Sequence, residues 1–187
     1  MAYTYRFKSF VRLSLALVAG CVLSGCASGA RTGAMTTGVV PNAIVASNSP
    51  ARNAIALGNV SGGSDTNPLW KSNVSTDNFL DALKQSLQLN VLLAANAGQY
   101  RLDAELMDLD QPFGGFDMEV TAHVHYKLTD ETSQKVVFDE TVVTPHTTNF
   151  SDAFLGGERL RLANEGAIHD NIQSLITKLL ASPALKG

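Results

Sequence analysis

Apolar and polar residues alternate without interruption from Phe116 to Leu128. The even-numbered positions of this stretch are apolar, and the odd-numbered positions are polar or charged. Side chains point to opposite faces of a strand at successive residues, so the pattern predicts a strand with one buried face and one face in water.

Three further stretches have strand character. Ala54–Val60 is a short apolar run before a glycine-rich loop, and an alternating segment begins at Tyr100. A third strand is predicted over Lys135–Thr144, ended by Pro145. Which face of this strand is buried is ambiguous, because Glu140 is at an even-numbered position like the apolar residues Val136, Phe138 and Val142 and would point to the same face. A β-bulge in the strand would resolve the ambiguity.

Two helices are predicted from apolar residues at helical spacing. The first covers residues 76–90, with Ser75 as its N-cap and Asp77 in its first turn. The second runs from about Glu158 to Ala181, and Pro183 follows it.

The element order is therefore β-α-β-β-β-α. Each helix has one apolar stripe and the sheet has one apolar face, so the simplest burial places both helices on the same side. We expect an α+β two-layer sandwich with about four mostly antiparallel strands.

The first 25 residues have the character of a signal peptide. A basic start with Arg6, Lys8 and Arg12 precedes an apolar run of ten residues, too short to span a membrane. The run ends in Leu23-Ser24-Gly25-Cys26, which resembles the bacterial lipobox. This resemblance implies cleavage before Cys26 and attachment of diacylglycerol and a further acyl chain, such as palmitate, to that residue. The alternative is an ordinary secretory signal with an incidental cysteine.

The residue after the cysteine bears on location. Inner-membrane retention in enterobacterial lipoproteins is associated with Asp at that position, and here it is Ala27. We therefore expect a protein anchored in the outer membrane and facing the periplasm.

Charge and composition limit the remaining possibilities. The chain of 187 residues carries a net charge of -3, and removal of residues 1–25 would make it more acidic. This argues against nucleic acid as a partner, which would require a basic surface. Residues 26–52 are mostly small and polar, which predicts a lipidated flexible tether, and 53–187 are expected to form a single periplasmic domain.

The order of several short motifs resembles a known class of protein. The shared pattern is a tryptophan before a helix, spaced leucines, and two tyrosine-containing strand segments: Trp70, Leu80, Leu83, Leu87, Tyr100-Arg101-Leu102 and Tyr126-Lys127-Leu128-Thr129-Asp130. Over residues 54–181 it resembles the small auxiliary lipoproteins of intermembrane lipid-transport ABC systems. That resemblance implies a lipid-anchored domain that docks on a transporter or bridging assembly in the cell envelope.

Two segments are candidates for an interaction surface. The first follows the first predicted strand and contributes Ser61, Gly62, Gly63 and Trp70. The second segment, in the last helix, contributes Arg159, Arg161, Asn164 and Glu165. These segments resemble blocks in bacterial lipoproteins, some of which carry a sugar-nucleotide acyltransferase label. The tandem hexapeptides that such an enzyme requires are not in this sequence.

A metal site is a weaker candidate. His123 and His125 are two residues apart on one strand and point to the same face. With His146 or a carboxylate such as Glu119 they would make a zinc site, but two histidines on a wet strand face are more simply surface residues.

The function predicted from sequence is a non-catalytic accessory or assembly lipoprotein with an envelope protein partner and no cofactor. The alternative is an envelope enzyme acting on lipid or sugar, for which no nucleophile or nucleotide-binding motif is present in the sequence.

Overall fold

The computed structural model describes residues 27–41, 43–67 and 71–185. The signal segment, Cys26 and Trp70 lie outside the described residues. The elements in chain order are helix α1 (Thr32–Met35), strand β1 (Ile55–Gly62), helix α2 (Thr76–Leu89), strands β2 (Tyr100–Asp110), β3 (Met118–Asp130) and β4 (Lys135–Thr148), and helix α3 (Gly156–Ala181).

The four strands form one sheet in the order β1-β2-β3-β4. β1 and β2 are parallel and are joined through α2, whereas β2, β3 and β4 are antiparallel neighbours. This arrangement confirms the predicted α+β class and the predicted order of the long elements. It also places both the β2–β3 and the β4–α3 connections at the same end of the sheet.

The alternation in β3 has the predicted consequence. Its even-numbered residues from Met118 to Leu128 are all buried, and Val124 in the middle of the strand is 0% exposed. α3 packs on β3 and β4, and α2 packs on β1, so both helices cover this face. Phe116 is the exception to the pattern, because it lies before the strand begins and is exposed.

β4 differs from the prediction in two respects. It continues through Pro145 to Thr148, which an edge strand tolerates because, among the described residues, no strand pairs with its outer side. A register shift does occur, opposite Leu128 and Thr129, but it does not move Glu140 to the outer face. Glu140 stays on the helix side and pairs with Lys178 of α3 at 2.7 Å.

The helix ends follow local hydrogen bonding. The Ser75 side chain caps α2 as predicted by accepting a hydrogen bond from the backbone N–H of Asn78. α3 begins at Gly156, slightly earlier than its apolar periodicity indicated.

The amino-terminal segment corrects the predicted domain boundary. α1 packs against both α2 and α3, and Met35, Val40 and Ala51 are buried in the main core. Buried hydrogen bonds from the N–H of Thr37 to Ser86 and from that of Val40 to Asn90 fix the segment along α2. The prediction of a flexible tether over 26–52 is therefore wrong for the described residues, because their apolar side chains enter the core and their backbone donates buried hydrogen bonds to α2 and its C-cap.

Within the part of the chain that the structure describes, no helix combines the length and apolar character needed to cross a membrane.

The one-sided burial of β3 predicts opposite outcomes for two aspartate substitutions. Val124→Asp places a carboxylate in the core without a partner, and we expect it to lower the unfolding free energy by about 3–5 kcal/mol. Thr141→Asp, on the exposed face of neighbouring β4 opposite His125, should change it by no more than about 0.5 kcal/mol. Urea unfolding measures both, and equal losses would mean that the sheet is covered on both faces.

Candidate functional site

A buried carboxylate on α3 connects the amino-terminal segment to the body of the fold. Glu165 is 2% exposed, and its oxygens accept hydrogen bonds from the backbone N–H of Arg31 at 2.8 Å and from the Arg31 guanidinium at 3.0 Å. The guanidinium of Arg161, also buried, donates to the same carboxylate at 2.7 Å. Arg161 contacts Glu158 at 3.4 Å as well. We call Arg31, Glu158, Arg161 and Glu165 the Glu165 cluster.

The electrostatics of this cluster favour the charged form of Glu165. Burial acts to raise the pKa of the Glu165 carboxyl, but the hydrogen bonds from Arg31 and Arg161 and the charge of Arg161 outweigh it, so the pKa lies below its ordinary value. The same contacts raise the pKa of Arg31, chiefly through its hydrogen bond to Glu165. The Glu165 carboxylate is thus held in its ionised form by hydrogen bonds from two guanidinium groups.

A second buried polar chain lies one residue away on α3. The amide of Asn164 donates to the Ser72 carbonyl at 2.9 Å and accepts from the amide of Gln111 at 2.6 Å. Gln111 also donates to the Ser72 carbonyl, at 3.2 Å. The Ser72 hydroxyl in turn donates to the carbonyl of Ser28 at 2.7 Å. Ser28, near the first described residue, therefore lies beside the start of the β2–β3 connection.

Arg159 joins the two connections at this end of the sheet. Its buried guanidinium donates to the carbonyls of Ala153 and Phe154 in the β4–α3 connection and to that of Gly115 in the β2–β3 connection. It also lies 4.9 Å from the centre of the Phe150 ring. A buried arginine used in this way fixes the shape of both loops.

Large apolar side chains project into water from these two connections. We call them the aromatic tip: Phe113, Phe116, Phe150, Phe154 and Leu155. Phe116 and Phe154 are 80% and 81% exposed, and Phe113 is fully exposed. An exposed apolar cluster of this kind is typical of an interaction site.

The structure divides the predicted interaction surface into two parts. Arg159, Arg161, Asn164 and Glu165 are all buried, so as an exposed docking surface this prediction is wrong; their contacts hold chain segments together. Trp70 lies outside the described residues. Ser61, Gly62 and Gly63 end β1 at the same end of the sheet as the aromatic tip.

The glycine loop after β1 is shaped by close backbone contacts. Gly62 and Gly63 have φ values of 78° and 77°, which glycine adopts without strain. A β-carbon at Gly62 would overlap the backbone of Leu106. The loop borders a cavity of about 340 Å³ that Lys71 and Asn73 also line. The loop thus remains a candidate recognition surface.

The predicted histidine site is not assembled. His123 and His125 lie on the outer face of β3, and His125 pairs with Asp139 at 2.7 Å. His146 lies on the helix side, where it pairs with Asp170 of α3 at 2.8 Å and its ring lies against Gly166. Among the described residues there is no group of three or more metal-ligating side chains placed to hold an ion.

Sequence reasoning missed the aromatic tip and the role of Arg31. The signal for the tip was present: phenylalanines recur in two connections between elements, where no periodicity explains them. Arg31 gave no such signal, because its partner is 134 residues away in the sequence.

Comparisons with known proteins identify the fold. No family model and no curated protein matches this chain. Among solved structures, protein XCC0632 from Xanthomonas campestris, of the DUF330 family, is similar with a TM-score of 0.55 and 16% identity, covering 78% of this chain and 92% of XCC0632. A minor lipoprotein from Acinetobacter baumannii is similar with a TM-score of 0.46 and 13% identity, covering 69% and 93%. At such identities, the similarity to XCC0632 concerns the fold alone.

The Glu165 cluster predicts a large effect of one conservative substitution. Glu165→Gln preserves the shape but leaves the buried Arg161 without its main counter-charge, so we expect the unfolding free energy at pH 7 to fall by about 3 kcal/mol. The carboxylate contribution is present above the ordinary carboxyl pKa of about 4.3 and is lost as pH falls through the lower pKa of the folded state. Between pH 7 and pH 3 the unfolding free energy of the variant should therefore fall by less than that of the wild type.

A matched control is available in Glu140→Gln. Glu140 also pairs with a cation at 2.7 Å, but both partners are about half exposed, so we expect a change within about 0.5 kcal/mol. Urea unfolding from pH 3 to pH 8 compares the two variants. Equal, small losses in both would contradict the structural role of Glu165.

Proposed function

We propose that this protein is a lipid-anchored periplasmic accessory lipoprotein of the outer membrane, which docks on a protein partner in the envelope and has no catalytic activity of its own. The observation that carries the proposal is the lipobox-like sequence ending at Cys26, preceded by a basic start and an apolar run. The ten-residue run is too short to span a bilayer, so an anchor on Cys26 would be the membrane attachment.

The polar residues of the described chain support an accessory role. The buried charged and amide side chains of α3 are engaged by the amino-terminal segment and by the two connections at the aromatic tip. These contacts stabilise the fold and leave no convergent nucleophile and base among the residues considered above.

The sheet supports docking on a protein. β1 and β4 are its two edge strands, and in the described residues no further strand pairs with either of them. A partner can add a strand to such an edge, with its side chains read by the exposed residues alongside. A transporter or bridging assembly, as the sequence resemblance implies, is the kind of partner we expect.

The anchor is tested by Cys26→Ser. The substitution removes the thiol that would accept diacylglycerol, so we expect the precursor to remain unprocessed and the mature membrane form to disappear. Mass spectrometry of the purified chain and fractionation of inner and outer membranes measure this outcome. A variant that is still cleaved and equally abundant in the outer membrane would contradict the anchor.

The same preparations test docking. Chemical cross-linking of intact envelopes should join the wild-type chain to a discrete protein, and the Cys26→Ser precursor should lack that product. If the wild type forms no cross-linked product, or forms the same one without lipidation, docking at the outer membrane is contradicted.

A further inference from the structure

The aromatic tip is held in a fixed shape by the residues beneath it. The rings of Phe116 and Phe150 pack edge to face with centres 5.8 Å apart, and those of Phe150 and Phe154 are also 5.8 Å apart. Arg159 fastens the backbone of both connections below the rings, and the N–H of Phe150 donates to Asp117 at 2.9 Å. Phe116, Phe150 and Phe154 are thus held in fixed positions although their rings are exposed to solvent.

The amino terminus of the described chain lies at the same end of the fold. The carbonyl of Ser28 accepts from Ser72, whose own carbonyl accepts from Gln111. Gln111 precedes Pro112 and Phe113 in the sequence. Cys26 is two residues before Ser28, a span of at most roughly 7 Å.

The amino-terminal segment packs in the core, so it is not available as a spacer between the domain and the bilayer. Residues 30–51 contribute six buried apolar side chains to the core and do not extend away from it: Ala30, Met35, Val40, Ala43, Val45 and Ala51. An acyl chain on Cys26 would therefore draw the end of the fold that carries the aromatic tip against the membrane surface.

The charges at the tip favour apolar insertion over attraction to anionic headgroups. Asp117 and Asp152 are acidic, and each accepts a backbone N–H of the β4–α3 connection. Arg159 is buried under the rings. Aromatic side chains around an otherwise polar end suit the interfacial region of a bilayer, where apolar area is buried at the headgroup boundary.

We propose that the aromatic tip inserts into the interfacial region of the phospholipid leaflet that holds the lipid on Cys26. The domain then has two attachments at one end and a fixed orientation, with the β3–β4 turn and the carboxyl end of α3 directed away from the membrane. This inference rests on the proposed lipid anchor, and it specifies which surface meets the membrane.

The test places a single tryptophan at either end of the full-length lipidated protein. Trp70 is the only tryptophan in the chain, so Trp70→Phe gives a silent background. Phe113→Trp and Phe154→Trp report on the tip, where both side chains are exposed and a larger ring fits without repacking. Thr132→Trp, exposed in the β3–β4 turn at the opposite end, is the matched control.

The protein is reconstituted into vesicles of phosphatidylethanolamine and phosphatidylcholine, with and without bromine on the acyl chains. We expect the emission of both tip tryptophans to be blue-shifted relative to that of Thr132→Trp, because they lie in a less polar environment. Brominated lipid should quench the fluorescence of both tip tryptophans and leave that of Thr132→Trp unchanged. No anionic lipid should be required. Equal emission from the tip variants in the two kinds of vesicle would overturn the inference.

Two further readouts separate the possible failures. Tip tryptophans protected from aqueous acrylamide but not quenched by brominated lipid would show that a protein surface covers the tip, and would overturn membrane insertion. Mass spectrometry of Cys26 reports separately on the anchor. A lipidated chain with an unquenched tip contradicts this inference alone, whereas a chain without lipid contradicts the proposed function and removes the premise of the inference with it.

Discussion

The charge on Glu165 requires partners, and that requirement fixes the amino-terminal segment against α3. A carboxylate that is 2% exposed is stable only when its oxygens are hydrogen-bonded and its charge is matched. Arg161 supplies one partner from the same helix, and Arg31 supplies the other through both its backbone and its side chain. The amino-terminal segment cannot leave the body of the protein without exposing this buried charge.

Fixing Arg31 has consequences along the chain in both directions. Toward the carboxyl end, α1 and the residues after it fill the space between α2 and α3. Toward the amino end, Ser28 is held beside Ser72 and Gln111, next to the connections that carry the aromatic tip. A lipid on Cys26 would thus lie close to the aromatic tip. The domain would then contact the membrane directly and would not be separated from it by a flexible tether.

The sequence predicted those parts of the fold that depend on local periodicity. The alternation of β3 and the Ser75 cap of α2 are properties of neighbouring residues, and both are confirmed. The packing of residues 27–51 was missed because the apolar side chains that they bury, from Ala30 to Ala51, are irregularly spaced along the sequence and match the period of neither a strand nor a helix. Gly115, which accepts from Arg159, and Arg31, which donates to Glu165, lie 44 and 134 residues away in the sequence, so these two contacts could not be read from it.

Amide hydrogen exchange on the lipidated full-length protein tests most directly whether the amino-terminal segment belongs to the fold. The informative amides are those of Arg31, Thr37 and Val40, which donate to Glu165, Ser86 and Asn90. The account predicts that they are protected and exchange on the timescale of the amides in β3. Exchange of these three amides at the rate of an unstructured peptide, while β3 remains protected, would contradict it.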